Sequence, residues 1–235
     1  KDQGDIDGMA TTLGSLLFKD FMPGRDSFVV ARLKDSGAIL LGKATLGELG
    51  GGDTHGSLFG STRNVYDLER TAGGSSGGSA ASVSANFSTV AVAQEGFASI
   101  RRPSIWNGVV GMRPTAGLVS RQGVYAGWPG INGTLGPMAR TVIDVATLLD
   151  SMAGYDPGDP VTARRVGQAP DSFTAALDMD ALSGARIGIL REIMGFHTDA
   201  RSDDFNKVTE VFEKSINELR EAGAEIIDNI MIPEL

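Results

Sequence analysis

At 235 residues, 41% of them apolar, the chain can bury a core and reads as one large domain or part of one. A formal net charge of −8 and the lack of any Lys/Arg run exclude a nucleic-acid surface, which needs clustered cations, and point to small-molecule partners. Without cysteine there is no disulfide, thiolate nucleophile or Cys-ligated metal, and with neither a membrane-length apolar run nor a leader at its start the chain reads as soluble and cytoplasmic.

The chain opens on "KDQGDIDGMATTLGS" and closes on "IIDNIMIPEL". Neither has the exposed, loosely ordered character of a domain border, so a piece of something larger is expected. Residues 26 to 49 predict a helix carrying Phe28, Val29 and Leu33, a stop at Gly37, and a short buried strand from Ala38 to Leu41. Six glycines between positions 47 and 60 predict a shaped loop. The small residues of "SAASVSAN", 79 to 86, predict a closely packed helix, followed by a strand from Thr89 to Ala93, with Ser99 just past it.

Thr141 with Asp144 three residues on is an acidic variant of the capping box. It opens a helix whose Val142, Val145, Leu149 and Met152 share a face and which Gly154 ends. "YDPGDPVTARRVGQAP" predicts a turn-rich surface connection. Beyond it come a strand from Arg186 to Leu190, a helix with Phe205, Val208, Phe212, Ile216 and Leu219 at helical spacing and a stop at Gly223, and a strand from Glu225 to Met231. Alternation of helices and strands predicts an α/β layered fold, and no 20 to 50 residue repeat is visible.

The stretch "TAGGSSGGSAASVSANFSTVAVAQEGFASIRRP", 71 to 103, admits three roles. A flexible linker would not enclose the apolar run Val90 to Ala93. A phosphate-cradling loop would need a neighbouring Lys and the P-loop spacing, and has neither. Nucleophilic catalysis remains, with glycines letting backbone amides converge on an oxyanion and serines carrying protons. A serine nucleophile needs a base, and the two histidines offer little: His197 lies in the polar "GFHTDARSDD", and His55, in the glycine-rich loop, suits a structural hydrogen bond at least as well. No G-x-S-x-G elbow encloses Ser99. The base is therefore sought among the lysines.

Seven segments in order carry a resemblance: "KDQGDIDGMATTLGS", "YDLERTAGGSSGGS", "GGSSGGSAASVSA", "AVAQEGFASIRRPS", "GVVGMRPTAGLVSR", "NGTLGPMARTVIDVATLLD" and "ARIGILRE". Together they resemble the amidase signature family, cofactor-free serine hydrolases that cleave carboxamides with a Ser-Ser-Lys triad. The resemblance implies Ser99 as nucleophile, Ser75 as bridging serine after a cis Gly74–Ser75 peptide, and Lys1 as base. It further implies oxyanion binding by the backbone N–H groups of Gly96, Phe97, Ala98 and Ser99, substrate contacts from Leu49 and Phe97, and no metal. Lys43 matches a family lysine that is not the base, so a structural role is expected. Ser76 and Ser79 read as helix-start serines, Ser76 within hydrogen-bonding reach of the site. A lysine base needs its pKa brought from about 10.4 toward 7 to 8 by desolvation or neighbouring donors.

The implied fold is α/β, an α/β/α sandwich with a large twisted mixed sheet, with residues 1 to 235 forming the amidase signature domain without the family's N-terminal helices and C-terminal portion. The implied reaction is amide hydrolysis on a small-molecule substrate through an acyl-enzyme; a homo-oligomer is compatible with it. Two alternatives stay open: the glutaminase subunit of an amidotransferase, and an inactive homologue serving as a binding module. Phe97 departs from the family's glycine two residues before the nucleophile. A positive φ there would strain it by roughly 1 to 2 kcal/mol, and its bulk would narrow the acyl pocket. Tyr125 and Trp128 join Phe97 as pocket candidates, with core packing the stronger expectation for each.

Overall fold

The computed structural model describes residues 1–125, 133–195 and 199–233, in two compact units, Lys1–Ala175 and Ala176–Leu235. Trp128 and His197 lie outside the described residues.

The first unit is built on a short antiparallel sheet. Hairpin strands β1 (His55–Gly56) and β2 (Gly60–Ser61) sit in the glycine-rich loop, while β3 (Val90–Glu95), β4 (Val110–Gly111) and β5 (Thr134–Ala139) form the sheet in the order β3-β5-β4. Ala93 faces Gly136 and Glu95 faces Thr134 across the β3–β5 ladder. All six β5 residues are buried. Gly136 has a steric reason: a Cβ there would lie 2.1 Å from the Met112 carbonyl oxygen and 2.8 Å from Ile100 Cδ1.

Alternation along β5 sends Leu135 and Met138 to different clusters. Leu135 packs with Val29 and Leu33 of α1 (Phe28–Asp35) and with Leu148, Leu149 and Met152 of α4 (Val142–Met152). Met138 packs with Ala80 of α2 (Gly77–Ser84), Ala93 and Ile100. Helices thus cover the small sheet from both faces. The three strands and their helices are a partial α/β/α arrangement within the described residues.

Local signals fix the helix ends where expected. Ser27 Oγ accepts from Val30 N, and Gly37, at φ +81°, closes α1. Thr141 Oγ1 accepts from Asp144 N at 3.2 Å and its hydroxyl donates to Asp144 Oδ2 at 2.6 Å. The apolar stripe of α4 includes Val145, Leu148, Leu149 and Met152, but Val142 is 58% exposed at the helix start.

Two expectations are corrected. Ala38 to Leu41 is not a strand: Ile39 and Leu41 are 85% and 72% exposed, and among the described residues no neighbouring strand pairs with them. An apolar run reads as a buried strand by composition, yet becomes one only where a partner meets its N–H and C=O groups. The 155 to 170 tract is more than a surface connection, because Asp156, Asp159 and Thr162 are buried in it. Asp159 receives Arg121 N at 2.9 Å and its guanidinium at 2.6 and 2.8 Å, and Ser120 Oγ donates to Asp156 at 2.5 Å. These contacts pin the 3₁₀ turn Pro160–Arg165.

In the second unit, β6 (Arg186–Gly188) pairs in parallel with β7 (Glu225–Ile227), and α5 (Asp203–Glu221) connects them. Ser202 Oγ caps α5 at Phe205 N, with Asp203 and Asp204 in the first turn and Arg220 in the last, as the helix dipole favours. Ile216 is buried; Val208 is exposed, so the packed stripe of this helix is narrower than its periodicity predicts. Among the described residues no helix is long and apolar enough to cross a membrane.

Candidate active site

The site forms where the N-terminal segment, the Gly/Ser segment and the end of β3 meet. Lys1 Nζ donates to Ser75 Oγ at 2.8 Å and to the Gln94 carbonyl at 3.1 Å. Burial pulls the Lys1 amine down from 10.5 to about 7, against the opposing pull of the Glu95 charge. Both hydrogen-bond partners of Nζ are neutral oxygens, so among the described residues no anion in contact with it offsets the lost water.

Ser75 and Ser76 are completely buried. The Gly74–Ser75 peptide is cis. A Cβ on Gly74 would lie 2.4 Å from the Gly52 carbonyl oxygen and 2.7 Å from Asp53 Cα, so a residue without a side chain lets this segment rest on the glycine-rich loop. Gly47 N donates to the Ser75 carbonyl at 2.9 Å, tying the loop to the same point. Ser76 Oγ donates to the Gln94 carbonyl at 3.1 Å and accepts from Gln94 N at 3.4 Å. Ser79 Oγ donates to the Val92 carbonyl at 3.1 Å. Both serines fasten α2 to β3.

Ser99 stands in the turn between β3 and α3 (Arg101–Trp106), partly exposed. Its carbonyl accepts from Ser76 N at 3.2 Å. Its hydroxyl makes no hydrogen bond among the described residues, so the backbone, and not a Ser75–Ser99 hydroxyl contact, joins Ser99 to the pair. The N–H groups of Gly96, Ala98 and Ser99 also have no acceptor among the described residues. Those of Ile100 and Arg101 are committed to Glu95 Oε2, at 2.9 and 3.0 Å.

Glu95 is the residue that sequence reasoning missed. It is wholly buried at the end of β3 and, besides those two amides, its Oε1 accepts from Arg101 Nε at 2.8 Å and Nη2 at 2.5 Å. Arg113 Nε stands 3.7 Å from the same oxygen. Arg101 Nη2 also donates to the Phe97 carbonyl. An acid closing an apolar strand, followed six residues later by an arginine, was the available signal.

Phe97 is 70% exposed and does not have a positive φ, so the expected backbone strain is absent. Its ring lines an open cavity of about 540 Å³ with Gly96, Arg101, Gly111, Met112 and Arg113. Leu49 is outside that cavity. It sits half-exposed in left-handed backbone, φ +54°, on the loop held to Ser75, and its N–H donates to the Leu13 carbonyl at 2.9 Å. Tyr125 is anchored, its hydroxyl donating to Asp5 Oδ2 at 2.8 Å and its ring edge-on to Phe21. His55 Nδ1 lies 2.8 Å from Ser61 Oγ across its hairpin, the structural role expected. Lys43 pairs with Asp2 at 2.7 Å and donates to the Ala10 carbonyl at 2.8 Å and Thr11 Oγ1 at 2.6 Å. Among the described residues no cluster of three or more acids or histidines could hold a metal ion.

The arrangement supplies an amine at the boundary between its charged and neutral forms, a buried hydroxyl on it, a second hydroxyl in a tight turn, and open backbone donors around that turn. A family model described as Amidase matches residues 1–234. The chain is 39% identical over 234 residues to a glutamyl-tRNA(Gln) amidotransferase subunit of Caldanaerobacter subterraneus subsp. tengcongensis, covering 99% of this chain and 46% of that protein. Its structure is similar to the native peptide amidase of Stenotrophomonas maltophilia, with a TM-score of 0.86, 39% identity, and coverage of 97% of this chain and 46% of the other. It is also similar to a glutamyl-tRNA(Gln) amidotransferase subunit of Thermotoga maritima, at TM-score 0.85 and 33% identity, covering 99% and 49%. The chain spans about half the length of the relatives it matches.

Proposed function

The chain belongs to the amidase family, and from that membership we propose that it hydrolyses a carboxamide C–N bond of a small-molecule substrate in the cytoplasm, through an acyl-enzyme on Ser99. Neutral Lys1 accepts a proton from Ser75, Ser75 takes the proton of Ser99, and Ser99 Oγ attacks the amide carbon. The developing oxyanion is met by backbone N–H groups of the turn from Gly96 to Ser99, each worth on the order of 3 kcal/mol in such sites. The relay runs in reverse to protonate the departing amine as the C–N bond breaks. Water, deprotonated along the same route, then releases the acyl group as a carboxylic acid. For the first step the Ser99 hydroxyl turns toward Ser75, and no existing hydrogen bond holds it back.

The observation that carries this reading is the 2.8 Å contact between Ser75 Oγ and a lysine amine lowered to about 7. A buried hydroxyl on an ordinary ammonium would be a structural contact; on an amine that is half neutral near pH 7 it is a route for a proton. The test is covalent labelling with a fluorophosphonate probe and peptide mapping by mass spectrometry. The adduct is expected on Ser99 and absent from Ser99→Ala; an adduct elsewhere, or none, refutes the assignment, and none also favours a binding module.

A second reading within the family is the glutaminase subunit of an amidotransferase, supported by 39% identity to such subunits. It differs in the substrate, glutamine, and in the fate of the ammonia. Release of ammonia from glutamine, assayed against release from peptide amides, separates the two.

A further inference from the structure

Glu95 is a buried acid that the proposed relay does not use. It occupies the last position of β3, next to Gln94, whose carbonyl holds Lys1 Nζ. Successive strand residues point to opposite faces, so Glu95 reaches away from Gln94 into the turn carrying Ser99. There its two oxygens collect the N–H groups of Ile100 and Arg101 and the Arg101 guanidinium. The turn from Gly96 to Ser99 is thereby closed at its base by charge-assisted hydrogen bonds, which are shorter and stronger than neutral ones. Closing it this way leaves the N–H groups of Gly96, Ala98 and Ser99 open.

We propose that Glu95 is a positioning residue with two duties: its carboxylate fixes the turn that presents Ser99, and its buried charge favours the protonated form of Lys1. The second duty rests on the relay described above. It follows from the surroundings of each group. The charge that acts on Lys1 Nζ is that of Glu95, while Asp2, next along the chain, is paired with Lys43. The segment entering α2 and its first turn bring the hydroxyls of Ser75, Ser76 and Ser79 to this side, and β5 brings Thr134 opposite Glu95. Against Glu95 stand Arg101 from α3 and Arg113 after β4. Burial by itself would push the Lys1 amine further down; Glu95 raises it, and about 7 is where the two balance. Arg101 is mostly exposed and offsets part of the Glu95 charge. One carboxylate therefore links the geometry of the nucleophile to the strength of its base.

The two neighbours predict opposite electrostatic effects. Glu95→Gln removes the negative charge, so the basic form of Lys1 persists to lower pH. Arg101→Gln leaves Glu95 less compensated, so Lys1 holds its proton to higher pH. In the full chain, the pH dependence of fluorophosphonate labelling at Ser99 is measured for both variants, alongside NMR titration of the ¹³C-labelled lysine ε-carbons, with Lys1→Arg identifying the Lys1 signal. Glu95→Gln is expected to lower the plateau labelling rate by about 100-fold, the scale of a displaced reacting group, and to shift the limb to lower pH. Arg101→Gln is expected to shift it to higher pH. Shifts of the same sign, or an unmoved limb in both, overturn the proposal, since a purely structural Glu95 would change rates without opposed titrations. If Glu95→Gln does not fold, Arg101→Gln decides: an unmoved or lowered limb refutes it. Opposed Lys1 titrations in a chain whose Ser99 is never labelled would uphold the charge effect while refuting the relay.

Discussion

Lys43 Nζ lies 2.7 Å from Asp2 Oδ1, one residue along the chain from Lys1, so two lysines meeting the same short segment have different chemistry. Lys43 is buried against a carboxylate, a carbonyl and a hydroxyl. Asp2 also accepts from Thr12 N and from the Thr12 hydroxyl. Among the described residues Lys1 Nζ touches a hydroxyl and a carbonyl and no carboxylate. An ion partner makes Lys43 part of the scaffold, and Lys1, which has none among the described residues, is left available for the proposed role of base.

Lys43→Ala should therefore act on stability. Removing one member of a buried ion pair leaves an uncompensated charge, costing about 3 to 5 kcal/mol. Urea unfolding is expected to show that loss. At low denaturant the fraction that remains folded should still label at Ser99, and its pH limb should stay where the wild type has it. A variant of unchanged stability would refute the scaffold role.

Lys1 predicts the pH dependence. In the proposed relay its neutral form is the base, so labelling and hydrolysis should rise with pH through about 7 and be lost as the amine protonates below it. Stability follows the same direction. An unfolded chain holds this proton up to about 10.4, while the folded chain releases it near 7, so this group makes stability rise with pH between those values. Lys1→Ala should remove the limb near 7 and its counterpart in stability and lose several orders of magnitude in rate, with partial rescue at high pH where hydroxide replaces the amine. Ser75→Ala should lose as much without rescue, because hydroxide cannot restore the bridging hydroxyl. Identical pH–rate profiles for the two variants would refute the relay.

Phe97→Gly removes the ring from the cavity that it lines with Gly96 and Arg101, and keeps the backbone N–H. Since Phe97 does not have a positive φ, there is no strain to relieve. The change should cost only the added freedom of glycine, about 0.5 to 1 kcal/mol. The expected result is a wider range of accepted acyl groups and a modest fall in rate on small amides. Loss of activity on every substrate would instead show that the ring holds the turn in place.

Much of the candidate site was legible in the sequence because its residues lie in short contiguous runs. The Gly/Ser segment and the Ser99 turn stand out by residue type and order, the opening lysine is singled out by the family resemblance, and the cap at Thr141 bonds only three residues away. Such features need no knowledge of what the rest of the chain does. The structure alone decided what depends on a distant partner. Ile39 and Leu41 are exposed because no strand arrives beside them, and Asp156 and Asp159 are buried because residues 120 and 121 come to meet them. Asp2 belongs in the same class: it looks like an ordinary surface acid in the sequence, and it is buried against a lysine that the fold brings to it. Burying a charge is costly unless it is paired, and the partner for Asp2 comes from 41 residues away. Periodicity and composition describe what a residue prefers, and only the folded chain determines which group answers that preference.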